Sequence, residues 1–367
     1  MQHISNSRAS LNPEEIDLFV LTHIGHVYVE QRHWKEVEVL EVVIMEKRKQ
    51  VLGDDHPDIL MSRANLASTY RNQGHWKKAE ALEVMVMVKR KQVLEDDHPD
   101  TLTSMENLAS IYWKQGCWKK SEALEVVVMK KRKQVLGDDH PDTLMSMANL
   151  ASTYREQGHW KEAEALEVVV IVKRKQVLGD DHPDTLTSMA NLASTYRNIG
   201  CWKEAEALEV VVMEKRKYVL RDDHPDTLTS MANLACTFWK QGCWKEAEAL
   251  EVVVMKKRKQ VLGDDHPDTL LSMENLASTY REQEYWKKAE ALEVVMILKK
   301  KQVLGDAHPD TLTSMENLAS MYRNQGCWKE AEALELIVME KSKQILVPDD
   351  SGSPEKAGRD YQWLISK

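Results

Sequence analysis

The sequence predicts an all-α protein, a right-handed superhelical solenoid of tandem helix-turn-helix repeats. A His-Pro pair and a Trp each recur at a constant step, and the apolar residues between them follow helical spacing with no alternating strand pattern. A period within about 20–50 residues indicates stacked units rather than one globular core. The step is 42 residues in both series, which are His56, His98, His140, His182, His224, His266 and His308, and Trp34, Trp76, Trp118, Trp160, Trp202, Trp244, Trp286 and Trp328.

The first predicted helix of each unit begins at the His-Pro pair, as residues 140–181 illustrate. Pro141 suits a first helical turn because its missing N–H is not needed there. We expect Asp139 to cap the exposed N–H groups, and Gly158 to end the helix in a left-handed conformation. The apolar face comprises Leu144, Met147, Leu150, Ala151 and Tyr154.

The second predicted helix begins near Trp160 and ends before Gly179. Acidic Glu162 in its first turn and basic Arg174 in its last turn match the helix dipole. A broad apolar face follows at Ala163, Leu166, Val169, Val170 and Val172. One such pair of helices cannot bury this face alone, so neighbouring units must stack.

Eight units account for residues 14–346. The first unit is degenerate, because Glu14-Glu15 stands in place of His-Pro. We expect residues 1–13 to be an N-terminal tail and residues 347–367, rich in Pro, Gly and Ser, to be a flexible C-terminal tail.

Composition and charge narrow the class of protein. The net charge of -9 argues against a nucleic-acid binder, which needs a cationic surface. No run approaches the roughly 18 apolar residues of a membrane span, and the first residues lack the apolar segment of a signal peptide. With five cysteines, an odd number, we expect a cytoplasmic protein with reduced thiols that binds neither membrane nor nucleic acid. The oligomeric state stays open.

Three recurring clusters resemble functional sites but fit a structural role better. The Asp-Asp-His-Pro-Asp segment resembles a metal or acid–base loop, yet its copies lie on successive units and its residue types suit helix capping. Cys117, Cys201, Cys243 and Cys327 occupy equivalent turns, which cannot supply four zinc ligands at one point. The basic runs Lys130–Lys133 and Lys256–Lys259 fit solvated helix ends better than an import signal. We therefore predict no metal, no cofactor and no catalytic residue.

The repeat resembles a known family. Leu150, Ala151, Tyr154, Gly158, Trp160 and Ala163 fall at the signature spacings of the tetratricopeptide repeat. The period and the LGDDHPDTL linker are similar to those of the kinesin light chain subtype. The amino-acid sequence of the repeats resembles still more closely the repeat arrays of fungal NOD-like (STAND) receptors. The resemblance implies a concave groove lined by first helices. The nucleotide-binding G-x-x-x-x-G-K-[ST] motif of such receptors is not in this sequence.

Two positions on the first helices are the candidate peptide-binding residues. By the resemblance, the Asn before Leu-Ala faces the groove, as does the residue six positions further on. An Asn amide both donates and accepts, so it can hold a peptide backbone without reading its sequence. The alternatives are that Asn bonds a neighbouring helix, or that it persists only because the repeats were duplicated. The two series are Asn65, Asn107, Asn149, Asn191, Asn233, Asn275 and Asn317, and Arg71, Trp113, Arg155, Arg197, Trp239, Arg281 and Arg323.

The second series varies between repeats that are otherwise nearly alike, so we expect it to read ligand side chains. Arg and Trp are favoured binding anchors, and Arg pairs bidentately with carboxylates. The predicted partner is a protein or peptide with acidic and aromatic residues. The predicted function is a non-enzymatic interaction scaffold, with the sensor region of a fungal NOD-like receptor as one interpretation and a kinesin light chain-type cargo adaptor as the alternative.

Overall fold

The computed structural model describes residues 18–54 and 56–346. Within them the chain forms sixteen α-helices and no strand, which confirms the predicted all-α array of helix-turn-helix repeats. Odd-numbered helices are the first helices of the repeats and even-numbered helices the second. Their bounds are α1 Leu18–Glu30, α2 Trp34–Leu52, α3 Pro57–Asn72, α4 Trp76–Leu94, α5 Pro99–Lys114, α6 Trp118–Leu136, α7 Pro141–Glu156, α8 Trp160–Leu178, α9 Pro183–Ile199, α10 Trp202–Leu220, α11 Pro225–Lys240, α12 Trp244–Leu262, α13 Pro267–Glu282, α14 Trp286–Leu304, α15 Pro309–Asn324 and α16 Trp328–Leu346.

The predicted tails, residues 1–13 and 347–367, and the degenerate Glu14-Glu15 segment lie outside the described residues. The chain divides into two compact units, Met1–Ile199 and Gly200–Lys367. Inside each unit, every helix packs against its sequence neighbours. The continuous stretch 14–346 remains a prediction of domain extent.

The first helices start as predicted at proline, but their cap is different. His140 is extended (φ −67°, ψ 137°), and its Nδ1 accepts a hydrogen bond from the N–H of Asp142 at 3.2 Å. The expectation that Asp139 caps the helix is wrong, since Asp139 lies one residue too early to face the exposed N–H groups. Its carboxylate instead forms an ion pair with Lys173 of the next repeat. The same histidine cap occurs at His56, His98, His182, His224, His266 and His308.

The turn inside each repeat requires a left-handed residue. Gly158 has φ +77°, and the turn closes with a hydrogen bond from the N–H of His159 to the carbonyl of Tyr154 at 2.8 Å. In the seventh repeat Glu284 adopts φ +60° at this position, a conformation that costs a side chain with a Cβ about 1 kcal/mol. The seventh turn therefore keeps its shape and carries backbone strain.

Each of the two compact units has its own core between consecutive helices. In Met1–Ile199, Leu102, Met105 and Val128 form one cluster of buried side chains. In Gly200–Lys367 the corresponding layers include Leu276 and Met321. These layers use the predicted apolar face of the first helices, so the opposite edge of each first helix is left for polar side chains.

On the second helix the prediction of the apolar face holds for Ala163 and Val170. It is wrong for Val169 and Val172, which are 40% and 51% exposed because the apolar run extends around the helix beyond its packed side.

Candidate functional site

The candidate residues lie on one edge of the first helices α3, α5, α7, α9, α11, α13 and α15. The Asn, the residue three further on and the Arg or Trp six further on share one helix face. We call these side chains, in each compact unit, the first-helix surface. All candidate residues are half-exposed, except Asn65 and Arg323, which are exposed.

The Asn ladder divides into bonded and unbonded amides. Asn149 donates to Glu106 Oε1 at 2.9 Å, and Asn107 donates to Glu83 Oε1 at 3.4 Å. These two amides thus bond a neighbouring helix, the alternative raised from the sequence. Other side-chain amides make no hydrogen bond to any described residue, so their donors and acceptors are available to a ligand; they are Asn65, Asn191, Asn275 and Asn317.

The Arg side chains of the surface are partly engaged within the protein. Arg155 donates to Ser152 Oγ and to the carbonyl of Asn191, both at 3.3 Å. Its Nε also lies 3.5 Å from Oε1 of Glu167, which is 4% exposed. Arg323 forms the equivalent pair with Glu335 at 3.2 Å. Each such Arg therefore neutralises a carboxylate as well as presenting N–H groups.

Two repeats carry Trp at the Arg position. Trp113 and Trp239 have a lysine ammonium over the ring, Lys114 at 4.7 Å and Lys240 at 4.9 Å from the ring centroid. Such contacts show that the indole faces attract cations. In these repeats no Arg is present at the position that faces the buried carboxylates of Glu125 and Glu251.

In each compact unit, buried carboxyl groups of the second helices lie beneath the first-helix surface. Glu167 accepts a hydrogen bond from Thr195 Oγ1 at 2.7 Å, a threonine of the following first helix. Burial raises the pKa of Glu167, while the Thr195 hydroxyl and the Arg155 guanidinium lower it. Burial raises the pKa of Glu83, Glu251 and Glu293 further, in each case to about 7. The surface therefore has titratable groups close to neutrality at its base.

Sequence reasoning did not identify these glutamates. The signal available was that a Glu in the second helix recurs in the middle of an apolar face, as Glu167 does beside Val168 and Val170. A charged residue at such a position needs a partner when it is buried. The partner is 28 residues away, in the next repeat, and only the structure brings the two together.

Three cavities include residues of the first-helix surface. One of about 500 Å³ is lined by Arg155, Ser194 and Asn198 with the adjoining turn. Another, of about 350 Å³, lies between the first two repeats and includes Asn65 and Glu41. The third, of about 190 Å³, includes Trp239 and Asn275.

The basic runs have a more specific role than the sequence suggested. The interpretation of Lys130–Lys133 as a solvated helix end is wrong for Arg132, which is 7% exposed. Arg132 donates to Ser146 Oγ and to Glu106 Oε2, each at 2.8 Å. The run joins consecutive repeats, because its central Arg crosses to the start of the following first helix.

Across residues 18–54 and 56–346, no group of three His, Cys, Asp or Glu side chains converges as a metal site. The described cysteines are free thiols, four of them at the N-caps of second helices. No helix in the described part of the chain is long and apolar enough to span a bilayer.

A family model described as tetratricopeptide repeat matches eight consecutive ranges: 20–58, 59–100, 101–142, 143–184, 185–226, 227–268, 269–310 and 311–351. No curated protein sequence matches the chain. A crystal structure of putative kinesin light chain nearly identical TPR-like repeats from Podospora anserina is 30% identical, covers 56% of this chain and 97% of its own, and has a TM-score of 0.51.

Two further solved structures share the fold at lower identity. The STAND protein with a tetratricopeptide repeat sensor from Pyrococcus horikoshii is 12% identical, with a TM-score of 0.63 over 90% of this chain and 48% of that one. The quorum sensor NprR from B. thuringiensis is 15% identical, with a TM-score of 0.64 over 93% of this chain and 91% of that one. The predicted resemblance to tetratricopeptide repeats of the kinesin light chain-like type is thereby confirmed, and the likeness to the STAND protein shows the shared fold.

Proposed function

Because the chain belongs to the tetratricopeptide repeat family, we propose that it is a non-enzymatic scaffold that binds peptide segments of partner proteins on the first-helix surface. The observation that carries this proposal is the set of Asn side chains on that surface that make no hydrogen bond to a described residue. Asn65, Asn191 and Asn275 each present a donor and an acceptor toward a ligand. A peptide backbone offers the same two groups at every residue.

The Arg and Trp positions supply specificity in this proposal. The repeats are nearly identical in their cores but differ here and at the next residue, as Arg155-Glu156 and Trp239-Lys240 show. Guanidinium N–H groups not used by Glu167 bind acidic side chains of the ligand, and the indoles pack against its apolar or aromatic ones. In this proposal the Arg and Trp positions read the side chains of the ligand, while the unbonded Asn amides hold its backbone.

The context that we propose is the sensor region of a fungal NOD-like receptor in the cytoplasm. Two points support this context. The amino-acid sequence of the repeats resembles the arrays of such receptors, and the fold is shared with a STAND protein that has a tetratricopeptide repeat sensor. The alternative is a kinesin light chain-type cargo adaptor, which the 30% identity to the Podospora anserina repeats favours. Genomic sequence upstream of Met1 discriminates between them: a P-loop domain supports the receptor, and heptad repeats support the adaptor.

The test begins with affinity purification of the tagged chain and mass spectrometry, followed by arrays of synthetic peptides that tile each recovered partner. A triple variant, Asn65→Ala, Asn191→Ala and Asn275→Ala, removes amides that make no internal bond. Each lost hydrogen bond weakens binding by about 1 kcal/mol, so we expect array affinity to fall at least about tenfold.

The matched control is Lys161→Ala, Lys203→Ala and Lys245→Ala, which changes exposed side chains of second helices. This variant should bind the arrayed peptides like the unmodified chain. Unchanged peptide affinity in the Asn triple variant, with circular dichroism showing an intact helical fold, contradicts the proposal.

A further inference from the structure

A small pocket between the sixth and seventh repeats stands out from the rest of the first-helix surface. Its volume is about 190 Å³, smaller than the roughly 300–1,000 Å³ of sites for whole small molecules. It has the size for the head group of one side chain. Its lining residues are Cys236, Trp239, Lys240, Glu251, Asn275 and Ser278.

Unsatisfied polar atoms line this pocket. Glu251 is 5% exposed, and its Oε2 has no hydrogen-bond partner among the described residues. The indole Nε1 of Trp239 is likewise buried without a partner in this part of the chain. A buried carboxylate oxygen without a hydrogen-bond donor costs free energy, so the pocket favours a ligand that brings a donor.

The other repeats show which group is missing. In the fourth repeat Arg155 brings its guanidinium within 3.5 Å of the equivalent Glu167, and in the eighth Arg323 lies 3.2 Å from Glu335. The sixth repeat has Trp239 at that position, so the protein supplies no guanidinium there. Burial raises the Glu251 pKa, the Thr279 hydroxyl lowers it, and the carboxylate of Glu248 raises it again, so no cation acts on it, whereas Arg155 lowers the pKa of Glu167.

The amide at the edge of the pocket is also unbonded. In the fourth repeat Asn149 donates to Glu106 at 2.9 Å. Ala232 stands where that acceptor would be in the sixth repeat, and Asn275 makes no hydrogen bond within residues 200–346. Asn275 therefore remains available to a ligand in the pocket.

We propose that the Trp239–Glu251 pocket binds the guanidinium of an arginine side chain of the bound peptide. The guanidinium donates to the Glu251 carboxylate and to the amide oxygen of Asn275 or the hydroxyl of Ser278, and packs on the Trp239 ring. Lys240, which is exposed, swings off the ring to admit it. The inference rests on the proposed function, since the peptide supplies the arginine. An equivalent set of residues occurs at the third repeat, but it is less available to a ligand. There Ser121 already donates to Glu125, and Asn149 already donates to Glu106.

The probe is a blocked tripeptide, acetyl-Gly-Arg-Gly-amide, titrated into the ¹⁵N-labelled full chain. The reporter is the indole N–H resonance of Trp239, assigned by its loss in Trp239→Arg. We expect a saturable shift of this resonance. Acetyl-Gly-citrulline-Gly-amide, which keeps the shape but not the charge, should bind at least about tenfold more weakly, since hydrogen bonds between charged groups exceed neutral ones by that much.

Two variants complete the test. Glu251→Gln keeps the side-chain shape and should weaken binding of the arginine tripeptide at least about tenfold. Trp239→Arg recreates the pair seen at Arg155–Glu167 and should abolish binding while the helical fold stays intact. It also serves if Glu251→Gln fails to fold.

Absence of the shift, or equal affinity for the arginine and citrulline tripeptides, overturns the pocket assignment. This failure is distinguishable from failure of the proposed function. Partner peptides that still depend on Asn65, Asn191 and Asn275 would leave the scaffold role standing while the pocket falls. Loss of that dependence, with tripeptide binding retained, would refute the scaffold role alone.

Discussion

The junction between the fifth and sixth repeats and the junction between the seventh and eighth use the same positions with different results. At the first, Thr237 Oγ1 donates to Glu209 at 2.5 Å, and Gln241 donates to Glu206 at 2.9 Å. Asp223 of the linker forms an ion pair with Lys257 of the sixth repeat. Three side-chain links thus join these two repeats beyond their apolar packing.

At the second junction each of these links is replaced. Met321 stands at the threonine position, and both carboxyl oxygens of Glu293 are buried with no partner in residues 200–346. Gln325 Nε2 has no acceptor in the described chain, since Tyr322 donates to Glu290 instead at 2.8 Å. Ala307 replaces the linker aspartate.

The difference shows that side-chain links between repeats are decided by single residues, while the apolar layers stay the same. Met321 is fully buried and packs with Leu276 and Leu312, so the core at the last junction is complete. What this junction lacks is hydrogen-bond partners for the buried polar atoms of Glu293 and Gln325. We therefore expect α15 and α16 to open more readily than α11 and α12, since local stability follows such links.

The largest expected effect comes from Glu293. Burial raises its pKa from 4.5 to about 7, although Arg281 and Lys300 lower it; Glu274 raises it further, and the following first helix presents Met321. The folded state therefore binds more protons than the unfolded state between these pH values. This stabilising contribution is complete below about pH 4.5 and is lost as pH rises through 7, a change on the order of 3 kcal/mol.

Glu293→Gln removes that dependence. We expect the variant to be more stable than the unmodified chain at pH 8 by a few kcal/mol and nearly equal to it at pH 4.5. Urea unfolding at the two pH values measures the difference. A variant that is less stable than the unmodified chain at pH 8 would mean that Glu293 has a partner in solution, and the contrast between the junctions would be lost.

A smaller effect is expected when the junction between the fifth and sixth repeats is made to resemble the junction between the seventh and eighth. Thr237→Val keeps the side-chain shape but leaves Glu209 without this donor, which should lower the free energy of unfolding by about 1–2 kcal/mol. The matched control lies on the same helix: Thr227 is fully buried, and its hydroxyl has no partner among the described residues. Thr227→Val should therefore change the urea midpoint little, and equal losses in both variants would contradict the role given to the Thr237 bond.

The sequence predicted the elements of this fold well because their causes are local. Proline at the first turn, the left-handed Gly158 and the apolar faces act within a few residues. The cap was assigned to Asp139 because a carboxylate is a common cap, and neither His140 as acceptor nor Lys173 as the carboxylate's partner is visible in local spacing. The links that distinguish one junction from another span 28 to 35 residues, so they appear only when repeats are stacked.

The candidate surface was predictable in position but not in its charge balance. Helical spacing places Asn149 and Arg155 on one face, as the structure has them. It does not reveal that Glu167 lies beneath Arg155, so the sequence assigned the whole positive charge of that Arg to an acidic ligand. In the sixth repeat the equivalent carboxylate, Glu251, has no Arg above it, so the surface at Trp239 favours a cationic rather than an acidic group of the ligand.

The smallest expected effect tests the linker ion pair at the last junction. Lys299 pairs with Asp265 at 2.7 Å. Lys341 is its counterpart one repeat later; Ala307 stands at the equivalent linker position, and Lys341 has no such pair within residues 56–346. Ala307→Asp restores the carboxylate, and an exposed pair of this kind is worth about 0.5 kcal/mol or less. Because salt screens exposed charges, the gain should be measurable in urea at low ionic strength and vanish near about 1 M salt. Asp265→Ala should show the same salt-dependent loss at its own junction. A gain that persists at high salt would instead indicate that the introduced carboxylate stabilises the start of α15 through backbone N–H groups, and the linker aspartate would then act locally after all.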